Sequence, residues 1–312
     1  MDNLKHNFRE LLKNAYPQID INSLGAYCDK FEKIIEHFNS LGIKGEDKKK
    51  NILSNIGKKD YLNYVCELSI IYYFSSKFPR DFKSEICVDG KNFDFSFFNN
   101  ELRINVEVKS LSPSMNSGRI PIKLFIPKEQ EHTLYEQGLE NLTRTTYKKI
   151  TELLNKADQQ LPSLKENEIN IVFLCVSDLD EYSDVITNLL HSQIGILEHN
   201  AFSNIDCILV CNIGFEHNFL LNKTVYENYM KNVQEYNLNG ELVWEYERSA
   251  PVLPMLFWLK TTFNRGEKIQ KSVMEATFSH TCYLRNRVKN NDNIQKALFS
   301  IYNEISSGTL TS

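Results

Sequence analysis

Hydrophobic positions along the chain change spacing several times, and each change marks an element. In residues 1–42 the runs LKHNFRELLKNAY and SLGAYCDKFEKIIEHFNSLG carry apolar residues three and four apart, which predicts two helices. Ser23 is a candidate N-cap for the second, and Gly42 a stop. A third helix is predicted over Asp60 to Phe78, with Asp60 as N-cap. Its buried stripe would hold Tyr64, Leu68, Ile71, Tyr72 and Phe78, with Glu67 at the stripe's edge. The pattern then shortens to three strands: EICVD ending in a Gly90 turn, FDFSFF, and LRINVEVKS. A long helix follows, roughly Leu139 to Leu161. Its predicted inner face is Leu142, Thr146, Ile150, Leu153, Leu154, Ala157 and Leu161.

INIVFLCV and IDCILVCNI are near-continuous apolar runs, as expected of strands buried on both faces. A helix from about Asp180 to His191 would connect them. The pattern weakens after Gly214, where helices are predicted over 223–236, 265–280 and 291–306 and Trp244 and Trp258 anchor packing. The order of elements gives an α/β sandwich with a central mixed sheet. No linker, repeat or low-complexity segment interrupts it, which favours one elaborated domain.

The second and third strands carry charges where a core strand should carry none. Taking Asn99-Asn100 as a two-residue turn puts Phe98 opposite Glu101 and Asp94 opposite Asn105. Opposite residues of an antiparallel pair share a face, and so do alternate residues. Phe93, Phe95, Phe97, Leu102, Ile104, Val106 and Val108 then form an apolar face, and Asp94, Asn105, Glu107 and Lys109 the other. In that register Asp94 and Glu107 are diagonal neighbours, on the order of 7 Å apart at the backbone. Two carboxylates that close repel unless a cation lies between them. Mg²⁺ suits them, because it takes one or two carboxylates and completes its shell with water and phosphate oxygens. The plain alternative is a solvated face with ordinary charges.

Composition leaves this picture intact. The 312 residues are 42% hydrophobic and 24% charged, which fits a folded chain. No apolar run is long enough to span a membrane, and the N-terminus lacks the apolar core of a secretion signal. The seven cysteines are scattered without zinc-ligand spacing, so reduced thiols and a cytoplasmic location are expected. A net charge of −4 argues against a chain that coats nucleic acid everywhere, but not against local basic patches. No nucleotide-binding glycine motif occurs. His132, His191, His217 and His280 lack ligand spacing, so structural or surface roles are expected of them.

Asp94, then Glu107-Val108-Lys109, with Glu67 on the preceding helix, resembles the PD-(D/E)XK phosphodiesterase superfamily of restriction endonuclease-like enzymes. The resemblance covers residues 60–213, and Phe93 stands where the motif's proline would be. It implies a restriction endonuclease-like α/β/α core at 60–213, an N-terminal helical extension at 1–59 and a C-terminal extension at 214–312. It also implies roles. Asp94, Glu107 and the Val108 carbonyl would bind Mg²⁺, with Mn²⁺ able to substitute. Lys109 would position the attacking water, and Glu67 would hold a second metal ion or a water on the metal. Such enzymes often carry a polar helix residue facing the site, which makes Gln159, with its neighbour Gln160, an accessory candidate.

The implied activity is phosphodiester hydrolysis in nucleic acid, with a DNA endonuclease of restriction or defence type ahead of an RNA-cleaving enzyme. An inactive binding module of the same fold is the other alternative, and a homodimer is compatible with all three. Two stretches could contact phosphate. Residues 44–59 hold six lysines against two acids, among them Lys48, Lys49 and Lys50. Residues 260–289 hold seven Lys or Arg against two acids and end with Arg285, Arg287 and Lys289 around Tyr283. For both, a solvated charged face is the plain alternative.

Overall fold

The computed structural model of the chain describes residues 2–17, 19, 21–58, 60–111, 140–177 and 201–211, with positions 185, 188, 189, 196, 213, 214, 217, 221, 255–258 and 273. The helices predicted at 223–236, 265–280 and 291–306 lie outside these residues, apart from the helical position Val273. So do Trp244, His132, His191, His280, Arg285, Arg287 and Lys289.

Helices α1 (Asp2–Ala15), α2 (Ile21–Ser40), α3 (Gly45–Asn55) and α4 (Tyr61–Lys77) precede strands β1 (Lys83–Val88), β2 (Lys91–Asn99) and β3 (Leu102–Ser110). Helix α5 (Glu140–Gln160) and strands β4 (Glu168–Cys175), β5 (Cys207–Cys211) and β6 (Met255–Trp258) follow. The strands form one six-stranded sheet in the order β1-β2-β3-β4-β5-β6. Its first three strands are antiparallel, β3, β4 and β5 are parallel, and β6 runs antiparallel to β5. The fold is therefore α/β with a mixed sheet. β6 was not expected from the sequence: MLFW is too short for periodicity to separate strand from helix.

Helices cover both faces of the sheet. On one, α4 packs with Phe8, Leu12, Phe31, Ile35 and Ile52 of α1–α3 against Phe95, Phe97, Ile104, Val106, Ile171, Phe173 and Leu209. On the other, Ile150, Leu154 and Ala157 of α5, with Leu161 just past its end, pack with Val185, Leu189 and Ile196 against Val172, Leu174, Ile208 and Val210. Every residue of β5 is buried, and nearly all of β4, because helices lie on both sides of them. Helices α1–α3 share one core with α4 and the sheet, and Leu221 and Val273 join that core from beyond the predicted boundary at 213. Among the described residues no helix is long and apolar enough to cross a membrane.

Helix α4 departs from its predicted stripe. Tyr64, Tyr72 and Phe78 are only half-buried, while Leu62, Val65, Cys66, Ile70 and Phe74 are buried. The helix lies between the sheet and α1–α3, and a helix covered on two sides has no single apolar stripe. Asp60 makes no side-chain cap, and Ser23 lies inside α2 rather than at its start. Gly42 does end α2: it has φ +70°, and the Ile43 N–H closes onto the Phe38 carbonyl at 2.9 Å, a Schellman-type closure. The Phe74 ring sits 4.8 Å from Phe97, 5.5 Å from Phe95 and 5.6 Å from Phe173, which fixes the roll of α4. Glu67, seven residues earlier, lies two turns away on nearly the same face.

The hairpin turn is Asn100-Glu101, not Asn99-Asn100, because Asn99 pairs with Leu102. Asn100 takes φ +58°, the positive value such a turn needs at its first central position. Every cross-strand partner is thereby moved by two residues, to Phe95↔Val106 and Phe97↔Ile104. A slip of two preserves the faces, since side chains alternate with period two.

Candidate active site

The corrected register brings Asp94 opposite Glu107, and the ladder opens there. Paired positions between β2 and β3 run from Asn99↔Leu102 to Phe95↔Val106. At the next step the side chains take over. The Val108 N–H donates to Asp94 Oδ2 at 2.6 Å, and the Asp94 N–H donates to Glu107 Oε2 at 3.2 Å. Each carboxylate thus holds a backbone donor of the other's strand. β2 turns over at this point: Phe95 packs into the α4-side core and Phe93 into the α5-side core, although they share parity. On β1, Glu85 has φ +50° and falls where the β1–β2 register would set it against Asp94. The irregularity in both neighbours directs the Asp94 carboxylate into the gap.

Glu107 is buried, and its Oε1 accepts from the Lys109 ammonium. Lys109 Nζ also donates to Gln160 Oε1, at 2.7 Å. The residue that reaches the site from α5 is therefore Gln160; Gln159 is exposed. The helical phase explains the correction. Ala157 and Leu161 face the core, Gln160 sits beside them at the edge, and Gln159 is a further 100° around the helix.

The site works against its own charges. Burial raises the Asp94 carboxyl well above its usual range, and the charges of Glu67 and Glu107 push it further, against the Val108 N–H and Lys109. Burial also raises Glu107, while Lys109 opposes the rise. Two facing acids whose ionised forms are disfavoured would be relieved by a cation.

Glu67 enters differently from the role the resemblance implies. Its Oε1 accepts from Lys48 Nζ at 2.9 Å, and Lys48 also pairs with Glu85 Oε1 at 3.5 Å. Among the described residues no three carboxylate, imidazole or thiol groups converge closely enough to hold a metal ion. The carboxylates that face each other are Asp94 and Glu107. Nothing in the sequence of β1 flagged Glu85; its register against Asp94 is the signal that could have.

The expected basic patch at Lys48, Lys49 and Lys50 is not a patch. Lys48 turns inward to Glu67, and Lys49 is buried against Glu32, with Nζ to oxygen distances of 2.9 and 3.1 Å. Lys50 alone of the three is exposed. Successive helix positions are 100° apart, so three lysines in a row cannot share one face. His217 is fully buried. Its Nδ1 lies 3.0 Å from the Tyr27 hydroxyl and its Nε2 2.8 Å from Ser69 Oγ. Ser69 gives its proton to the Val65 carbonyl, so its oxygen accepts from Nε2–H and Nδ1 accepts from Tyr27. Burial holds the imidazole neutral, with its pKa lowered to about 3. The role of His217 is structural.

No family model, no curated protein and no solved structure matches this chain.

Proposed function

We propose that the chain is a metal-dependent phosphodiesterase that cleaves nucleic acid, DNA ahead of RNA, with a core of restriction endonuclease-like type. The observation that carries this reading is the pair Asp94 and Glu107, face to face across an opened strand ladder, with the Lys109 ammonium fixed at the rim by Glu107 and Gln160. A nuclease site needs a cation holder and a positioned proton donor side by side, and a solvated strand face has no reason to bury either.

The donor set suits Mg²⁺, with Mn²⁺ as a substitute. Mg²⁺ uses one or two carboxylates and keeps places for water and phosphate oxygens. Asp94 Oδ1 accepts no hydrogen bond among the described residues, and the raised Asp94 and Glu107 carboxyls gain most from a nearby positive charge. Asp94 and Glu107 would hold the ion, with the Val108 carbonyl as a third ligand by resemblance. When bound, the ion supplies Lewis acidity, a more acidic water and a fixed phosphate orientation. Lys109 would orient the attacking water, and Gln160 would keep the lysine from swinging into solvent.

The test is to incubate purified protein with plasmid DNA and with a structured RNA, in Mg²⁺ and in EDTA. Mg²⁺-dependent cutting of DNA is expected. Cutting of RNA alone would assign the same chemistry to the other polymer. Equal cutting in EDTA, or binding without cutting of either polymer, would overturn the reading.

A further inference from the structure

We propose that Lys48 serves as the site's built-in second cation: its ammonium holds the place between Glu67 and Glu85, beside Asp94, that a second divalent ion would otherwise take. The inference rests on the reading of Asp94 and Glu107 as a metal site, and it makes the protein a one-ion enzyme.

Lys48 comes from α3, outside the part of the chain that the sequence motif covers, yet only 12% of its side chain is exposed. Its Nζ lies 2.9 Å from Glu67 Oε1 and 3.5 Å from Glu85 Oε1. Burial works against the Lys48 charge, but Glu67, with smaller contributions from Glu85 and Asp94, outweighs it and keeps the proton on. Two acids, from α4 and β1, thus hold one ammonium, and the charge of Asp94 on β2 adds to the field around it. Without it, among the described residues, Glu67 and Glu85 would be oxygen donors with no positive partner of comparable burial. Lys44 also pairs with Glu85, at 3.4 Å, but 68% of its side chain is exposed, so water screens that contact.

The backbone holds Lys48 in place. Gly45, at the start of α3, packs so closely on the end of α2 that a Cβ there would lie 2.6 Å from Asn39 Oδ1 and 3.0 Å from the Ile35 carbonyl oxygen. That contact brings the first turn of α3 down over α4. One helical turn on, Lys49 is anchored to Glu32, which fixes the rotation of α3 and aims Lys48 at Glu67. A lysine clamped at two positions of its own helix suits a fixed charge better than one that swings out to meet substrate.

The test counts ions rather than cuts. Mn²⁺ binding to the full chain is followed by electron paramagnetic resonance, with Lys48→Gln, Lys44→Gln and the double variant Lys48→Gln/Glu67→Gln alongside. The expected stoichiometry is one ion for wild type and for Lys44→Gln, two for Lys48→Gln, and one again for the double variant. Two ions on the wild type would overturn the proposal without any variant having to fold, and leave the metal-site reading standing. One ion on a folded Lys48→Gln would also overturn the proposal alone. No Mn²⁺ on the wild type would instead remove the metal-site reading on which the proposal rests.

Discussion

Gln160→Leu should slow the chemical step without unfolding the chain. The Lys109 ammonium is held by two acceptors, Glu107 Oε1 and Gln160 Oε1, the latter at 2.7 Å. Leucine keeps much of the volume and removes the second acceptor. A hydrogen bond to a charged group contributes about 1.5–3 kcal/mol. If that ordering is needed in the transition state, its loss slows the step by about 10- to 100-fold, since each 1.36 kcal/mol is a factor of ten. Gln160 is half-buried and its amide makes only a long contact, 3.4 Å, to the Asn92 carbonyl. If the fold loses that same amount, the melting temperature drops by about 3–12 °C, since 1 kcal/mol shifts a large domain by about 2–4 °C, and the chain stays folded at the assay temperature. Single-turnover cleavage of supercoiled plasmid at saturating protein reads the rate, and Gln159→Leu is the control, expected to match wild type. A Gln159→Leu defect larger than that of Gln160→Leu, or a Gln160→Leu rate within twofold of wild type, would refute the placement.

Three further outcomes are expected. Lys49→Met should destabilise the chain by about 3–5 kcal/mol in a denaturant titration, because Glu32 is left buried and unpaired, and adding Glu32→Met should recover most of the loss; an unchanged midpoint for the single variant would contradict the buried pair. In metal-free buffer Asp94 keeps its proton in the folded state above its usual range, so the folded chain binds more protons than the unfolded one there, and stability falls as pH rises; Asp94→Asn should gain stability relative to wild type over that range, and a constant difference would count against it. His217 has the opposite sign: its folded pKa of about 3 lies below the usual value of about 6.5, so stability falls as pH drops between the two, and His217→Gln should show a shallower acid slope whatever its absolute stability.

The alternation of β2 and β3 was legible because parity tolerates error. The sequence offers asparagine at both 99 and 100, so composition does not decide which begins the turn, yet either choice places Asp94, Glu107 and Lys109 on one face. The opening of the ladder was not legible, because it depends on Glu85 and on β2 turning over at Asp94. Gln160 and Gln159 differ only by 100° of helix phase, which an approximate start for α5 cannot resolve. The lysines of α3 read as a patch because charge counts ignore partners: Glu67 and Glu32, which take two of them, come from α4 and α2. β6 pairs with a strand more than forty residues earlier in the sequence, and nothing local in MLFW announces that partner.

The proposed activity requires that Asp94 and Glu107 together hold the ion that makes cleavage possible. It is tested most directly by single-turnover cleavage of plasmid DNA by Asp94→Asn and Glu107→Gln in Mg²⁺, with circular dichroism and melting curves run on the same samples. Lewis-acid stabilisation of several kcal/mol corresponds to a loss of about 10²- to 10⁴-fold in rate. That loss is expected in both variants, with the fold and nucleic-acid binding retained. A rate within tenfold of wild type in either folded variant would mean that the two carboxylates do not hold a catalytic ion.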